Sequence, residues 1–257
     1  MKILALGDVV GEPGRRLVEA FVPDLRRETG ADLVVVNGEN AAHGHGITEP
    51  IAREWFDRYG IDVITTGNHA FDVRGIDAYF RQEPRILRPA NHPPDTAGNG
   101  WVKLHTPSGA EVLIINLMGR VHMPPCDCPF RCVDAILQKE RADLVIVDMH
   151  AEATSEAQAM GHHLDGRAAA VLGTHTHVPT LDAKVLPGGT AYVTDIGMTG
   201  PYEGVIGMKK DTSLSRFLKA KGERFEVADG DLQLHAVLVV TEGRKAVSIQ
   251  RIQKTLS

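Results

Sequence analysis

The sequence has few cysteines and no long apolar run, and both shortages exclude classes of protein. Its 257 residues include only three cysteines, too few for the disulfide framework of a small secreted protein. No apolar stretch approaches the roughly 20 residues that span a bilayer. The first apolar run, Lys2–Leu6, meets Asp8 at once and lacks the length and cleavage site of a signal peptide, so it predicts a first strand. We therefore expect a cytoplasmic protein that has no membrane partner.

An excess of positive charge is also missing from the sequence. The chain has 28 Lys and Arg residues against 33 Asp and Glu residues, which gives a net charge of −5 at pH 7. Proteins that hold duplex nucleic acid by its phosphates carry a basic footprint, so we expect no duplex partner. A small anionic substrate is still compatible with this charge, because bound divalent ions would supply positive charge locally. The length suits one α/β domain over residues 1–257.

The three cysteines lie close together in the sequence, at Cys126, Cys128 and Cys132. Such a cluster suggests a thiolate metal site, but structural zinc needs four ligands and the chain has no fourth cysteine. We favour the alternative interpretation, in which reduced cysteines lie in a loop that enters a helix.

Strand-like apolar runs alternate with amphipathic helical patterns along most of the chain, which favours an α/β sheet sandwich. The helical patterns cover Gly14–Thr29, Glu49–Tyr59, Val73–Gln82, Phe130–Glu140 and Ser155–His163. The strand patterns cover Lys2–Leu6, Leu33–Val36, Asp62–Thr66, Trp101–His105, Val112–Met118, Leu144–Met149, Ala168–Leu172 and Ala191–Asp195. Two longer runs, Leu232–Thr241 and Lys245–Ile252, predict a hairpin at the C-terminal end. Thr48, followed by an acid and a proline, is a typical helix start.

Side chains that bind metals recur directly after five of the predicted strands. The segment Gly173-Thr174-His175-Thr176-His177 places two imidazoles one residue apart after an apolar run, and neutral imidazole is the commonest protein ligand for metals. The other four segments are Gly7-Asp8, Gly38-Glu39-Asn40, Gly67-Asn68-His69 and His150. Five such coincidences predict a hydrolase with two metal ions.

The candidate ligands form a mixed set of oxygen and nitrogen donors, which suits iron, manganese or zinc better than calcium. They are Asp8, Glu39, Asn40, Asn68, His150, His175 and His177. Following parallel strands, they would converge at the carboxyl edge of the sheet. Glu39 would bridge two cations, with Asp8, Asn40 and His177 on one and Asn68, His150 and His175 on the other. Such a pair lowers the pKa of a shared water and clamps the oxygens of an in-line displacement at phosphorus.

These five segments resemble the ordered motifs of the calcineurin-like metallophosphoesterases. The chain is most similar to the YmdB-like bacterial branch of that superfamily, through the runs Asn37–Ala42, Asp148–Glu156 and Thr194–Lys210. The resemblance implies a four-layer αββα sandwich with mixed sheets and a two-metal centre that holds iron or manganese. It also implies a phosphodiesterase that hydrolyses small cyclic nucleotides, 2′,3′-cyclic ones above all, by attack of a metal-bridging hydroxide. By the same resemblance, His69 protonates the leaving oxygen, a role that requires an acid titrating near neutral pH.

The sequence departs from the general superfamily pattern at three places. Val10 stands where a histidine ligand is usual, and Glu39 replaces the bridging aspartate. We expect the longer side chain of Glu39 and the amide oxygen of Asn40 to compensate. The acid that orients the catalytic histidine is replaced by Ala70, and Asp72 is the candidate substitute.

Several alternatives stay open on the sequence. His69 would only stabilise phosphate oxygens if it is not the acid, and His43 and His45 are expected to be exposed loop residues. The same metal pair would serve a hydrolase of another bond, such as a lactone or amide. The missing histidine at position 10 also allows a regulatory protein that binds a cyclic nucleotide or RNA with weak turnover. The glycine-rich segment Thr194–Tyr202 would shape the pocket, form a turn or contact another subunit of a homo-oligomer.

Overall fold

The computed structural model describes residues 1–107, 109–219 and 224–256. The strands within these ranges are β1 (Lys2–Leu6), β2 (Leu33–Asn37), β3 (Val63–Thr65), β4 (Ile86–Leu87), β5 (Trp101–His105), β6 (Glu111–Met118), β7 (Leu144–His150), β8 (Ala170–Thr174), β9 (Lys184–Val185), β10 (Ala191–Val193), β11 (Gly200–Pro201), β12 (Leu232–Glu242) and β13 (Lys245–Leu256). The helices are α1 (Gly11–Thr29), α2 (Glu49–Arg58), α3 (Asp77–Gln82), α4 (Pro129–Lys139), α5 (Thr154–His163) and α6 (Lys210–Lys219).

Both sheets of the protein are mixed. The first has the strand order β11-β12-β1-β2-β3-β4, and β13 pairs with β12. Its central strands β1 to β4 run parallel, whereas β12 is antiparallel to β1. The second sheet has the order β5-β6-β7-β8-β10-β9, with β6, β7, β8 and β10 parallel. Parallel strands end at one edge of a sheet, so each sheet gathers the residues that follow its strands.

The two sheets pack face to face between outer helices, which gives the four layers αββα. Alternate residues of the central strands point to opposite faces, as strand geometry requires. Ile114 of β6 packs in the core between the sheets, whereas its neighbour Ile115 packs in the core beneath α4 and α5. The first sheet is covered on its outer face by α1, α2 and α3. The predicted four-layer sandwich with mixed sheets is confirmed.

Most of the predicted elements are present, with shifted ends. Helix α2 begins as expected, because the side chain of Thr48 accepts a hydrogen bond from the amide of Ile51. The C-terminal hairpin of β12 and β13 is also present. Helix α1 starts earlier than predicted, at Gly11, and α3 starts later, at Asp77. Within the described ranges, no helix is both long and apolar enough to cross a membrane.

The prediction for the strand before the His-x-His segment is wrong by two residues. The strand was expected over Ala168–Leu172, but β8 runs from Ala170 to Thr174. Gly173 therefore lies inside the strand and not in a loop. The strand continues because Gly173 and Thr174 pair with Met149 and His150 of β7. Glycine is required there, since a Cβ atom at Gly173 would overlap the backbone carbonyl of Thr194. Beyond that, β10 ends at Val193, two residues earlier than predicted.

Two neighbouring substitutions test the layer arrangement. Because β6 is buried on both faces, Ile114→Ala and Ile115→Ala should each lower the free energy of unfolding by about 2–5 kcal/mol. Val247, which is 49% exposed on β13, serves as the control, and Val247→Ala should cost less than about 0.5 kcal/mol. Urea unfolding measures all three. A small effect at either isoleucine would mean that one face of the sheet is open.

Candidate metal centre

The residues that follow five parallel strands meet where the carboxyl ends of the two sheets come together. The first sheet contributes the residues after β1, β2 and β3, and the second contributes those at the ends of β7 and β8. From the first sheet come Asp8, Glu39, Asn40, Asn68 and His69; from the second come His150, His175 and His177. All the predicted site residues therefore lie at one place, although they come from opposite sheets.

Three electron-pair donors surround the Nε2 atom of His150. The Oε1 atom of Glu39 lies 3.1 Å away, Asn68 Oδ1 lies 3.1 Å away, and His175 Nδ1 lies 3.0 Å away. One N–H group cannot satisfy three acceptors at once, so this crowding suits a cation better than a proton. Ligand atoms of Glu39, His150 and His175 lie within 4.8 Å of one another, as the ligands of a single ion would.

A second group of donors includes Asn40, the residue that follows Glu39 in the sequence. The Nε2 atom of His177 is 3.3 Å from Asn40 Oδ1, and both residues are buried. Asp8 is fully buried, and its Oδ1 atom has no hydrogen-bond partner among the described residues. Its other oxygen accepts from the amide of His175 at 3.0 Å. A buried carboxylate oxygen without a partner is costly, and a cation at this position would satisfy it.

The three imidazoles are oriented by acceptors on their outer nitrogens. His175 Nε2 contacts Glu152 Oε2 at 3.0 Å, and His177 Nδ1 contacts the carbonyl oxygen of Ile206 at 2.9 Å. His150 Nδ1 contacts Thr174 Oγ1 at 2.9 Å. If each outer nitrogen carries the hydrogen, the lone pair of the other nitrogen points into the site. Such outer partners are a regular feature of histidines that bind metals.

Thr174 belongs to a buried polar network that joins the two sheets. Its hydroxyl donates to Asp148 Oδ1 at 2.7 Å, so it can only accept from His150. The other oxygen of Asp148 accepts from the hydroxyl of Thr65 and, at 3.3 Å, from the amide of Asn37, both in the first sheet. The Oδ1 atom of Asn37 in turn accepts from the backbone amide of Glu39 at 3.1 Å. The network therefore fixes His150 and Glu39 relative to each other.

Burial and mutual attraction set the charges at the centre. Burial disfavours the ionised carboxylate of Glu39, but the nearby charge of His150 outweighs this and lowers its pKa to about 2. Burial likewise opposes a charge on His150, but Glu39 and Asp8 raise its pKa to about 9. Burial and repulsion by His150 lower the pKa of His175 to about 3. Burial also lowers the pKa of His177. His175 and His177 are therefore neutral and Glu39 is ionised, as metal binding requires, whereas His150 holds a proton at neutral pH that a bound cation would displace.

His69 lies at the rim of this centre. Its Nδ1 atom is 2.7 Å from Asp72 Oδ2, and its backbone amide donates to Glu39 Oε2 at 3.2 Å. Its ring packs on that of His45, with 4.8 Å between the centroids. The ring is partly exposed, so its Nε2 atom is available to a substrate. Asp72 therefore occupies the orienting position that the sequence analysis gave it, and His45 is exposed as expected but contacts the site.

The segment Thr194–Tyr202 forms hydrogen bonds to two parts of the site, the loop at Thr176 and the backbone of Asp8. Asp195 is fully buried and accepts from the amide and hydroxyl of Thr176, each at 2.8 Å, which holds the loop between the two histidines. Burial raises the pKa of Asp195 to about 6. The amide of Thr199 donates to the backbone oxygen of Asp8 at 2.8 Å. The segment is not a simple turn, because it contains a bridge between Thr199 and Val9 and the short strand β11.

The centre is packed so closely that one backbone position admits only glycine. A Cβ atom at Gly67 would overlap both the ring of His150 and the carboxylate of Glu39. A glycine is therefore required before Asn68, because the side chains of His150 and Glu39 lie so close to its backbone.

A cavity of about 740 Å³ opens beside these residues, within the size range of small-molecule sites. Glu39, His69 and His175 lie on its polar side. Its other walls are mainly apolar, with one cation, and are formed by Val178, Val205, Ile206, Met208, Arg216, Phe217 and Phe225. The site therefore offers a polar centre next to an apolar surface.

Sequence reasoning missed the residues that act on the ligands from outside. Thr174 was quoted only as part of the His-x-His segment, and Glu152 and the carbonyl of Ile206 were not considered. Asp195 belongs to the expected strand end and to the segment Thr194–Tyr202, but its bond to the His-x-His loop was not predicted. The three cysteines are free thiols. Cys126 and Cys128 lie in the loop that enters α4, as expected, whereas Cys132 lies inside the helix.

Comparison with known proteins places the chain among characterised relatives. A family model described as "YmdB-like protein" matches residues 4–252. The chain is 46% identical to a "2′,3′-cyclic-nucleotide 2′-phosphodiesterase" of Bacillus subtilis (strain 168), over 98% of this chain and 96% of that protein. Two crystal structures match with a TM-score of 0.94 each. One is a hypothetical protein of Thermus thermophilus, 46% identical and covering 99% of both chains; the other is a novel phosphatase of Mycoplasma pneumoniae, 34% identical and covering 99% of this chain and 93% of that one.

The network behind His150 gives a testable expectation. Thr174→Val keeps the side-chain shape but removes the acceptor for His150 Nδ1 and a donor to Asp148. Loss of such an outer partner typically weakens metal binding by about 10–100-fold, and we expect a loss of that size in a titration with manganese. The control is Thr255→Val, which changes an exposed threonine on β13. Unchanged affinity in Thr174→Val would show that this hydrogen bond does not orient the ligand.

Proposed function

The chain belongs to the YmdB-like protein family, and we propose that it is a metal-dependent phosphodiesterase of small cyclic nucleotides, 2′,3′-cyclic ones above all. We also propose that it acts as a single domain over residues 1–257. The 46% identity to the Bacillus subtilis enzyme, over nearly the whole of both chains, supports this substrate class.

One observation carries the proposal: three electron-pair donors converge on the Nε2 atom of His150 within 3.1 Å. We assign Asn68, His150 and His175 to one cation and Asp8, Asn40 and His177 to the other, with Glu39 shared by both. The orphaned Oδ1 atom of Asp8 and the outer partners of the histidines fit this assignment. The mixed donor set favours iron or manganese.

Two cations bound there would activate a water as the nucleophile and neutralise charge on the phosphoryl oxygens. The protein's own residues supply the remaining requirements. Glu39, as an ionised carboxylate assigned to both ligand groups, would balance the positive charge of the two cations. Asp148 and Thr174 hold His150 in place, and Asp195 holds the loop that carries His175 and His177.

We assign to His69 the donation of a proton to the leaving oxygen. Because Asp72 accepts from Nδ1, the Nε2 atom of a protonated His69 is left to donate into the cavity. An alkoxide leaves poorly without such an acid. The contact with Asp72 also fixes the direction in which the ring faces.

The cavity next to the centre suits a nucleotide better than a bare phosphodiester. Phe217 and Phe225 offer apolar faces to a base, and Arg216 lies 5.1 Å from the ring centroid of Phe225. A volume of about 740 Å³ holds a mononucleotide but not an extended nucleic acid. This arrangement favours a small substrate.

Glu39 provides the direct test of the metal assignment. The protein supplied with manganese or iron should hydrolyse a 2′,3′-cyclic nucleotide and an aryl phosphodiester, and a chelator should abolish both activities. Glu39→Gln removes the shared negative charge, so it should lose most of its metal content and its turnover of both substrates. Steady-state rates and metal analysis measure these effects.

Glu28→Gln, at an exposed carboxylate of α1, is the matched control and should behave as the wild type. Near-normal turnover of Glu39→Gln would refute the metal assignment. Turnover of carboxyl esters but not of phosphodiesters would indicate the alternative of a hydrolase for another bond.

The acid role of His69 is separable from metal binding. His69→Ala should keep its metal ions but hydrolyse the cyclic nucleotide about 10²–10⁴-fold more slowly. An aryl phosphodiester, whose phenolate leaves without help, should be affected much less. His175→Ala should instead lose metal and fail on both substrates. Equal losses on both substrates in His69→Ala, or loss of its metal, would exclude the acid role.

A further inference from the structure

A second cavity lies away from the metal centre and shares no lining residue with the substrate cavity. Its volume is about 550 Å³, and it lies between α4, the loop after β4 and Trp101 of β5. Three permanently charged cations line it, Arg88, Arg131 and Lys139, against one carboxylate, Asp127. The imbalance is notable in a chain whose net charge is −5.

Arg88 is the unusual member of this group. Only 7% of it is exposed, and no carboxylate among the described residues forms an ion pair with it. Its Nη1 atom donates to the carbonyl oxygens of Pro89 and Ala90, at 2.8 and 3.3 Å. Its Nε atom is buried without a partner among the described residues. A buried charge normally has both a counter-ion and full hydrogen bonding, and Arg88 has neither.

The neighbours of Arg88 also lack negative partners. Arg131 and Lys139 are exposed on α4, and neither has an ion pair among the described residues. Burial and the charge of Arg88 lower the pKa of His92 to about 4. At neutral pH His92 is therefore uncharged and does not draw an anion away from Arg88. Burial likewise lowers the pKa of Arg88, which remains a permanent cation. The cavity therefore has positive charge at its base and at its rim.

We propose that this cavity binds the phosphate group of a small organic phosphate. The unused edge of a guanidinium matches two oxygens of a phosphate group, and Arg131 and Lys139 add charge from the rim. Trp101 and Ile136 form an apolar wall that would receive the organic part. The site is independent of the proposed hydrolysis, because none of its residues belongs to the metal centre.

Calorimetric titration of the metal-loaded protein with inorganic phosphate and with adenosine 5′-monophosphate tests the proposal. We expect saturable binding that weakens by about tenfold or more in Arg131→Ala, because a hydrogen bond to a charged group is lost. Arg88→Met should abolish the part of the binding that persists in His175→Ala, a variant that lacks the proposed metal centre. Arg27→Ala, at an exposed arginine of α1, is the matched control and should bind as the wild type. Binding of both compounds would identify the phosphate as the recognised group, and binding of the nucleotide alone would add a requirement for the organic part.

The alkylation rate of a thiol in the same cavity measures whether the cavity is occupied. This test uses the wild-type protein and therefore does not depend on whether Arg88→Met folds. Cys128 and Cys132 line the cavity and Cys126 does not, so the site of alkylation is identified by peptide mass spectrometry. A bound anion disfavours the thiolate, so phosphate should slow alkylation of Cys128 but not of Cys126 in the wild type. In Arg131→Ala, more phosphate should be needed for the same protection.

Two results would overturn the proposal. One is the absence of binding for both compounds at millimolar concentration. The other is binding that is unchanged in Arg88→Met and Arg131→Ala but lost in His175→Ala, which would place the phosphate at the metal centre.

Discussion

The position of His150 is the constraint on which the site depends. Its ring lies where the two sheets meet, and both ring nitrogens have defined neighbours. Nδ1 contacts Thr174, which donates to Asp148, and Asp148 accepts from residues of the opposite sheet. Nε2 faces Glu39, which comes from that opposite sheet as well. The packing of the two sheets therefore determines the geometry of the site. A change in the distance between the sheets would separate His150 from Glu39.

The charges at the centre explain why such a site can exist inside a core. Isolated carboxylates are expensive to bury, and Asp8, Glu39 and Asp148 are all buried. Each has a different form of compensation. Asp148 is held by three hydrogen-bond donors and Glu39 by the charge of His150. Asp8 has a backbone amide on one oxygen and, at 3.8 Å from the other, only the Nδ1 atom of His150. The cost left at Asp8 raises its pKa, and it marks the place where positive charge is needed.

The sequence predicted the site better than it predicted the elements around it. Each ligand follows an apolar strand, and this local pattern survives errors of two residues in the strand ends. The hydrogen bonds of Asp148 could not be predicted, because Thr65 and Asn37 reach it across the sandwich from distant parts of the chain. Helix α6 was missed because its buried residues include Ser213 and Ser215, whereas its Phe217 and Leu218 are exposed. A helix whose buried face is polar and whose apolar residues are exposed does not show the periodic pattern by which amphipathic helices are predicted.

The absence of a histidine at position 10 is resolved by packing and by one hydrogen bond. Val10 is fully buried in a cluster with Met198 and Met208, where an imidazole would have no polar partner among these residues. Asn40 approaches His177 instead. Its Nδ2 atom donates to the carbonyl oxygen of Gly44 at 3.1 Å, which fixes the amide so that Oδ1 faces His177 Nε2. An amide oxygen held in this way has a fixed direction, so the proposed group of Asp8, Asn40 and His177 would offer a cation three oriented donor atoms. The apolar cluster explains why position 10 suits valine, and the fixed amide would take the place of the missing imidazole in the proposed centre.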